Sequence, residues 1–185
     1  MGDIARSAQV ARATVYNNFD DKQDILAAII GGYMEGYQTI SQRLRENARS
    51  GQTSFDLIEE MVREALAWRV ENADLRPIVA VARNLRGSGW EQANKAADDA
   101  MFGWILAVHA ADEDAGLIRK DIDLEAGVRS TYAMIEAAIS NFDVSSTAKE
   151  INEAAHQLAL LHWYAICSVP PAEAPRSPLG RKSPS

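Results

Sequence analysis

The polar residues with the clearest chemistry lie near the start of the chain, where Arg12 and Thr14 open a short segment of helical spacing. Val15, Tyr16 and Phe19 recur there at helical intervals, so Arg12 and Thr14 are expected on the outer side of the helix. A guanidinium and a hydroxyl group can hydrogen-bond to base edges and phosphates, and the first residues of a recognition helix meet base edges in the major groove. The spacing therefore predicts a nucleic-acid-binding helix.

A shorter segment before this helix completes a helix-turn-helix pattern. Ile4, Ala5 and Ala8 fall on one face of that first segment, and Gln9 and Val10 lie between the two. Two helices of this length cannot bury their apolar faces alone. We therefore expect Val10 to fill the space between them and further helices to cover the rest.

This region resembles the DNA-binding motif of TetR-type transcriptional regulators, with these residues in register: Ile4, Ala5, Ala8, Val10, Thr14, Tyr16, Phe19, Lys22 and Leu26. The resemblance implies an all-α fold with an N-terminal helix-turn-helix, followed by a helical effector-binding and dimerisation domain. It also implies DNA contacts from Arg12, Thr14, Tyr16, Asn17, Asn18 and Lys22. For Lys22 we further expect a phosphate site shared with the backbone N–H groups of a helix N-terminus.

The motif departs from the family pattern at three positions. Gln9 replaces a glycine, so a positive φ there would be strained. Ala11 replaces a serine and removes an N-cap side chain, at a cost of roughly 1 kcal/mol. Ala13 replaces a glycine that lets the backbone approach DNA in the family. The family also carries a helix and a basic arm before this motif, so we expect an incomplete DNA-binding domain or a misassigned start.

Helical spacing continues through the chain, and strand alternation is absent. We predict an incomplete helix-turn-helix at 1–26, an effector-binding and dimerisation domain at 27–168, and a disordered tail at 169–185, where five of the six prolines lie. The predicted helices are 21–44, 53–72, 77–85, 90–111, 124–142 and 147–166, with a loop at 112–123 that turns at Gly116.

Large apolar side chains on the middle helices predict a small-molecule site, although any one of them could be plain core. The predicted ligand-binding residues are Met61, Trp68, Trp90, Phe102, Trp104 and His109. The resemblance implies a homodimer through the last two helices, whose apolar and small residues we expect at that interface: Val128, Tyr132, Ile135, Ala138, Ile139, Ile151, Ala154, Ala155, Leu158, Leu161 and His162.

Composition limits the other classes of function. The net charge of −7 excludes a purely electrostatic nucleic-acid binder, and the single cysteine, Cys167, excludes an intrachain disulfide. Glu153 and His156 have a spacing found in di-iron bundles, but the further ligands are missing, so we expect no metal, no cofactor and no catalytic residues. No segment reaches the length of a membrane span, which favours a cytoplasmic protein.

These observations predict a ligand-responsive transcriptional repressor. Its partners would be double-stranded operator DNA, a small-molecule effector and a second copy of the chain, with no membrane. One alternative is an effector-binding dimer that has lost DNA binding. The other, disfavoured by the lack of a paired acid and base, is a helical-bundle enzyme.

Overall fold

The computed structural model describes residues 1–47, 51–84 and 90–176, and this part of the chain is built from α-helices. Their bounds are α1 Gly2–Ser7, α2 Arg12–Asn18, α3 Lys22–Asn47, α4 Ser54–Glu71, α5 Arg76–Asn84, α6 Trp90–Val108, α7 Ala110–Asp114, α8 Leu124–Asn141 and α9 Ala148–Ile166. The all-α prediction is confirmed. None of the described helices is both long and apolar enough to cross a membrane.

Side-chain caps set the starts of the longest core helices. Thr53 and Asp56 form a capping box at α4, and Thr147 and Glu150 form one at α9. Asp123 caps α8 by accepting a hydrogen bond from the backbone N–H of residue 126. Each cap satisfies backbone donors that the first turn of a helix leaves unpaired.

The region predicted as a loop at 112–123 is partly helical. The short helix α7 begins directly after His109, because the N–H groups of Asp112 and Glu113 both donate to the carbonyl oxygen of His109. The turn predicted at Gly116 is present, with a φ of 70°. The helix predicted to reach residue 111 therefore ends earlier, at α6, and the chain bends into α7.

The chain divides into two compact units. The N-terminal unit comprises residues 1–36 and 74–96, and the core unit comprises 37–73 and 97–185. In the core unit α4, α8 and α9 pack together around fully buried residues such as Val62, Leu66 and Ile135. In the N-terminal unit the hydrophobic residues that the structure describes as buried are Ala5, Val15, Ile30, Met34, Val79 and Ala82.

The tail predicted to be disordered from residue 169 is ordered at its start. Val169 and Ala174 pack against the core, and the Trp163 indole N–H donates to the carbonyl oxygen of Val169 at 2.6 Å. Residue 176 pairs with residue 53 in an isolated bridge. The buried Trp163 donor needs an acceptor, which explains why the chain stays attached despite its prolines. Residues 177–185 lie outside the described part.

Most of the residues predicted for the dimer interface face the interior of their own subunit. Val128, Tyr132, Ile135, Ile139, Ile151, Ala155 and His162 are all buried. The helical spacing identified the apolar faces of α8 and α9 correctly, but these faces cover the core of the same chain. Large hydrophobic residues that remain exposed on these helices are Met134, Leu161 and Tyr164.

Candidate nucleic-acid interface and a buried polar cluster

A tight turn joins α1 to α2 at the position where the sequence predicts it. Gln9 adopts a φ of 56°, in the left-handed region where a side chain is strained, so the expected cost of replacing glycine is present. Ala11 is the N-cap of α2 and provides no side-chain hydrogen bond. Val10 remains 43% exposed, so it does not fill the space between the helices as predicted.

Every residue of α2 except Val15 is exposed. Arg12, Thr14, Tyr16, Asn17 and Asn18 are all exposed, whereas Val15 is buried. Tyr16 is 57% exposed, so it belongs to this surface and not to the core. The Asn18 amide donates to the carbonyl oxygen of Thr14 at 2.8 Å, which orients it against its own helix. The structure thus places five of the six predicted DNA contacts on one short helix.

The sixth predicted contact, Lys22, is exposed at the start of α3. The Asp21 carboxylate accepts hydrogen bonds there from the N–H groups of Gln23 at 2.6 Å and Asp24 at 3.0 Å. The Asp24 carboxylate accepts a further one from Asp20 at 2.9 Å. Two of the backbone donors expected to bind phosphate, those of Gln23 and Asp24, are therefore satisfied by Asp21, and the exposed Lys22 ammonium group is available for such a contact.

The cations near α2 are few. Arg6 pairs with Asp3 at 3.0 Å on the exposed surface of α1. Arg12 lies close to Gly2, where a β-carbon would overlap its guanidinium group. Within the described residues, neither Arg12 nor Lys22 forms an ion pair. Among the described residues from α1 to the start of α3, these two side chains are positive charges available to a phosphate backbone.

The predicted ligand-binding residues do not share one environment. Met61 and Trp104 are buried in the core, and Trp68 and Phe102 are partly buried against it. The Arg129 guanidinium group lies 4.2 Å from the centre of the Phe102 ring. The Trp90 side chain lies outside the described part of the structure. A ligand site formed by these residues stays a prediction.

The last predicted ligand residue, His109, belongs to a buried polar cluster that the sequence did not reveal. Its Nδ1 lies 2.8 Å from Oδ2 of Asp112, and its Nε2 lies 2.8 Å from Nε2 of His162. Cys167 completes the cluster: one ligand atom each of His109, Asp112 and Cys167 lie within 4.8 Å of one another. All four side chains are buried at 2% exposure or less.

Burial controls the ionisation of two cluster members. It lowers the pKa of His162 to about 3, and the nearby His109 adds to this shift. Burial also raises the pKa of Cys167 to about 12, with a smaller contribution from the Asp112 carboxylate. His162 is therefore neutral and Cys167 is a thiol at neutral pH. His109 and Asp112 are three residues apart, but His162 is 53 residues from His109, so no local spacing could have predicted the cluster.

The comparisons with known proteins concern the N-terminal motif and the whole fold separately. Residues 1–29 match the family described as bacterial regulatory proteins, tetR family. No curated protein sequence matches the chain.

Solved structures resemble nearly the whole chain. The TetR family transcriptional regulator PfmR from Thermus thermophilus has a TM-score of 0.65 at 18% identity, covering 86% of each chain. The fatty acid degradation regulator FadR from Bacillus halodurans has a TM-score of 0.65 at 15% identity, covering 86% of this chain and 82% of its own. The ketosteroid transcriptional regulator KstR2 of Mycobacterium tuberculosis has a TM-score of 0.61 at 15% identity, covering 90% of this chain and 84% of its own.

Identities this low show a common fold, whereas the match at residues 1–29 concerns the helix-turn-helix itself. The two findings agree with each other and with the exposed face of α2. Residues 1–29 thus match the tetR family of bacterial regulatory proteins, and the chain shares its fold with solved regulators of that family.

Proposed function

We propose that the chain is a DNA-binding transcriptional repressor that a small-molecule effector releases from its operator. The observation that carries this proposal is the exposed face of α2, where Arg12, Thr14 and Tyr16 stand beside the buried anchor Val15. A helix of this kind suits direct reading of a major groove. The family consists of regulators, so the helical-bundle enzyme that the sequence left open is set aside.

The charge of the chain shapes how such a helix would bind. With a net charge of −7 and two available cations near α2, one copy gains little from counterion release. Affinity must then come from base contacts and from two copies that bind two half-sites together. We place this regulator in the cytoplasm, where bacterial operator DNA lies.

A second copy of the chain is proposed to pack on the outward faces of α8 and α9. Leu161 and Tyr164 are 55% and 52% exposed on α9, and Met134 is 37% exposed on α8. Ala137 and Ala138 lie near Met134 in sequence and permit close helix approach. This assignment keeps the predicted four-helix interface and two of its predicted residues, Ala138 and Leu161, but replaces the buried members of the predicted set by Met134 and Tyr164.

The effector is proposed to act on the apolar region around Met61 and Trp104. The Trp104 indole N–H is buried, and it finds no hydrogen-bond acceptor within the described residues. A ligand with an apolar body and one acceptor would suit it. Since two similar folds belong to regulators named for fatty acid degradation and ketosteroids, fatty acids and steroids are the first compounds to screen. An effector releases DNA only if it binds the DNA-free setting more tightly.

Selection of DNA from a random pool by the full chain, followed by titration of the selected duplex, tests this function. Arg12→Ala is expected to lower affinity about tenfold or more, as the loss of a base contact does. Lys22→Ala is expected to reduce the salt dependence by about one phosphate contact while leaving sequence preference intact. Light scattering on the same samples reports whether two copies bind.

Lys149→Ala is the matched control, because this exposed lysine lies on α9 and pairs with Glu153 at 3.6 Å. It removes one positive charge without touching α2 and should leave DNA affinity unchanged. If a folded chain selects no sequence at low salt, the repressor proposal is wrong and the effector-binding dimer without DNA binding replaces it. Equal losses from Lys149→Ala and Arg12→Ala would show that α2 does not read bases.

A further inference from the structure

The buried polar cluster is the feature of the core unit that packing alone does not explain. Its members come from the junction of α6 and α7, from α9 and from the residue after α9. An imidazole, a carboxylate and a thiol meet there at zero to 2% exposure. Burying a carboxylate without full hydrogen bonding is costly, so a core made only for stability would use apolar residues.

Two atoms of the cluster remain unsatisfied. Within the described residues, Oδ1 of Asp112 and Nδ1 of His162 find no hydrogen-bond partner. Buried polar atoms in folded proteins are nearly always paired, and unpaired ones commonly mark an unseen water or ion. One carboxylate oxygen of Asp112, one ring nitrogen of His109 and the Cys167 sulfur lie within 4.8 Å of one another, so the unpaired oxygen belongs to a group that already lies among two further donor atoms.

We propose that His109, Asp112 and Cys167 bind a divalent transition metal ion of the zinc class, and that His162 orients the His109 ring. Nitrogen, oxygen and sulfur donors of these types are the protein ligands of Zn²⁺. Of the two residues with an unpaired atom, Asp112 coordinates the ion through its carboxylate, whereas His162 stays outside the coordination shell. This proposal replaces the expectation from local spacing that the chain holds no metal.

The hydrogen-bond pattern identifies which ring nitrogen of His109 is the ligand. Nε2 is engaged by His162 at 2.8 Å, and Nδ1 faces Asp112 at 2.8 Å. A metal on Nδ1 leaves the hydrogen on Nε2, and this N–H then donates to Nε2 of His162. Metal-bound imidazoles almost always donate their other N–H in this way, and the acceptor fixes the ring orientation.

The adjustment required between His109 and Asp112 is small. Bonds of about 2 Å in tetrahedral geometry set nitrogen and oxygen ligands about 3.3 Å apart, so the His109 and Asp112 side chains must separate by about 0.5 Å. Cys167 is held by its own backbone, since its N–H donates to the carbonyl oxygen of Trp163 at 2.7 Å and its residue pairs with Ile118 in an isolated bridge. On binding, the thiol releases its proton to solvent and sulfur coordinates as thiolate.

The full chain, refolded with and without Co²⁺ and then dialysed, tests the proposal. Refolding is used because the ligands are fully buried and a folded chain would admit the ion slowly. We expect one ion per chain, visible d–d absorption of a tetrahedral site and a thiolate-to-cobalt charge-transfer band. Added Zn²⁺ should displace Co²⁺ and abolish both absorption bands. At about a hundredfold excess over the Kd, the ion should favour the folded over the unfolded chain about a hundredfold.

Three variants locate the site. Cys167→Ser changes one atom and should abolish the charge-transfer band, and Asp112→Asn should weaken Co²⁺ binding by about tenfold or more. His162→Asn leaves the three ligands in place and should lower affinity by roughly 10- to 100-fold without changing the charge-transfer band. His156→Ala is the matched control, because that histidine is exposed and lies 3.2 Å from Glu59. It should leave stoichiometry and spectrum unchanged.

Circular dichroism of each variant separates loss of metal from loss of fold. If Cys167→Ser proves unfolded, the spectrum of the unaltered chain still decides, because a charge-transfer band requires its only cysteine. A folded chain that retains no Co²⁺ after refolding, or that binds it without a thiolate band, overturns the proposal and leaves a plain hydrogen-bonded cluster. Because the measurements use no DNA, failure of the repressor proposal would not affect them.

Discussion

The two compact units of the chain hold their helices by different means. In the core unit, α4 and α9 each begin with a threonine capping box and bury most of one face. In the N-terminal unit, α1 and α2 are six and seven residues long, and neither N-cap residue provides a side-chain hydrogen bond. Isolated helices of this length are unstable, so α1 and α2 depend on the packing of few residues. A motif that is easily recognised by its spacing is thus not a motif that is well stabilised.

The largest expected loss of stability comes from creating a cavity in the core unit. Leu66 is fully buried, so Leu66→Ala should lower the free energy of unfolding by about 3 kcal/mol through lost burial and a residual cavity. Urea denaturation followed by tryptophan fluorescence measures the change. Val81→Ala in the N-terminal unit is the control, since Val81 is 60% exposed and its truncation should cost about 0.5 kcal/mol or less. A cost for Leu66→Ala as small as that of Val81→Ala would contradict the packing described for the core unit.

Changes to helix caps should have intermediate effects on stability, with opposite signs in the two units. Ala11→Ser would supply the missing side-chain acceptor at the start of α2 and should stabilise that helix by about 1 kcal/mol. Thr147→Ala would remove an existing cap from α9 and should cost about 1 kcal/mol. Nuclear magnetic resonance chemical shifts report the helix content of α2, and thermal denaturation reports the loss in α9. If Ala11→Ser leaves the helicity of α2 unchanged, the weakness of this unit has another origin.

The smallest effect concerns pH. The hydrogen bonds from Thr147 lower the pKa of Glu150, so the folded state prefers the ionised carboxylate. Its stabilisation is therefore present above the ordinary glutamate pKa and is lost as the pH falls through the lowered folded-state pKa. Glu150→Gln should flatten the acid side of the stability curve slightly, as measured by urea midpoints from about pH 3 to about pH 7, which spans the titration of carboxylates. An unchanged slope would show that the capping box is frayed in solution.

Local rules predicted those parts of the structure that depend on neighbours in sequence. The helices and the turn at Gly116 follow from residues within a turn or two of one another. The positive φ of Gln9 could be predicted because the family pattern has glycine at that position. In contrast, helical spacing identifies an apolar face without stating what covers it. This is why the faces of α8 and α9 were assigned to a partner chain when they cover their own core.

Of the two candidate sites, the α2 surface could be predicted from local spacing and the buried polar cluster could not. Exposure of Arg12 and Thr14 followed from the position of Val15 on a single short helix. The cluster of His109 and His162 depends on the docking of α9 against the end of α6, and no pattern within either helix encodes it. The sequence also predicted free backbone donors beside Lys22, whereas Asp21 accepts hydrogen bonds from those of Gln23 and Asp24.

The segment between α7 and α8 has a consequence for the order of folding. Its main chain is tied to the end of α9: the N–H of Arg119 donates to the carbonyl oxygen of Ile166, and the N–H of Ser168 donates to that of Leu117. The Ser168 hydroxyl donates to the same Leu117 oxygen across 51 residues of sequence. Contacts between such distant residues form late, because a long loop must close first. A protease should therefore cut this polar segment early in refolding and lose access to it only after α9 has docked.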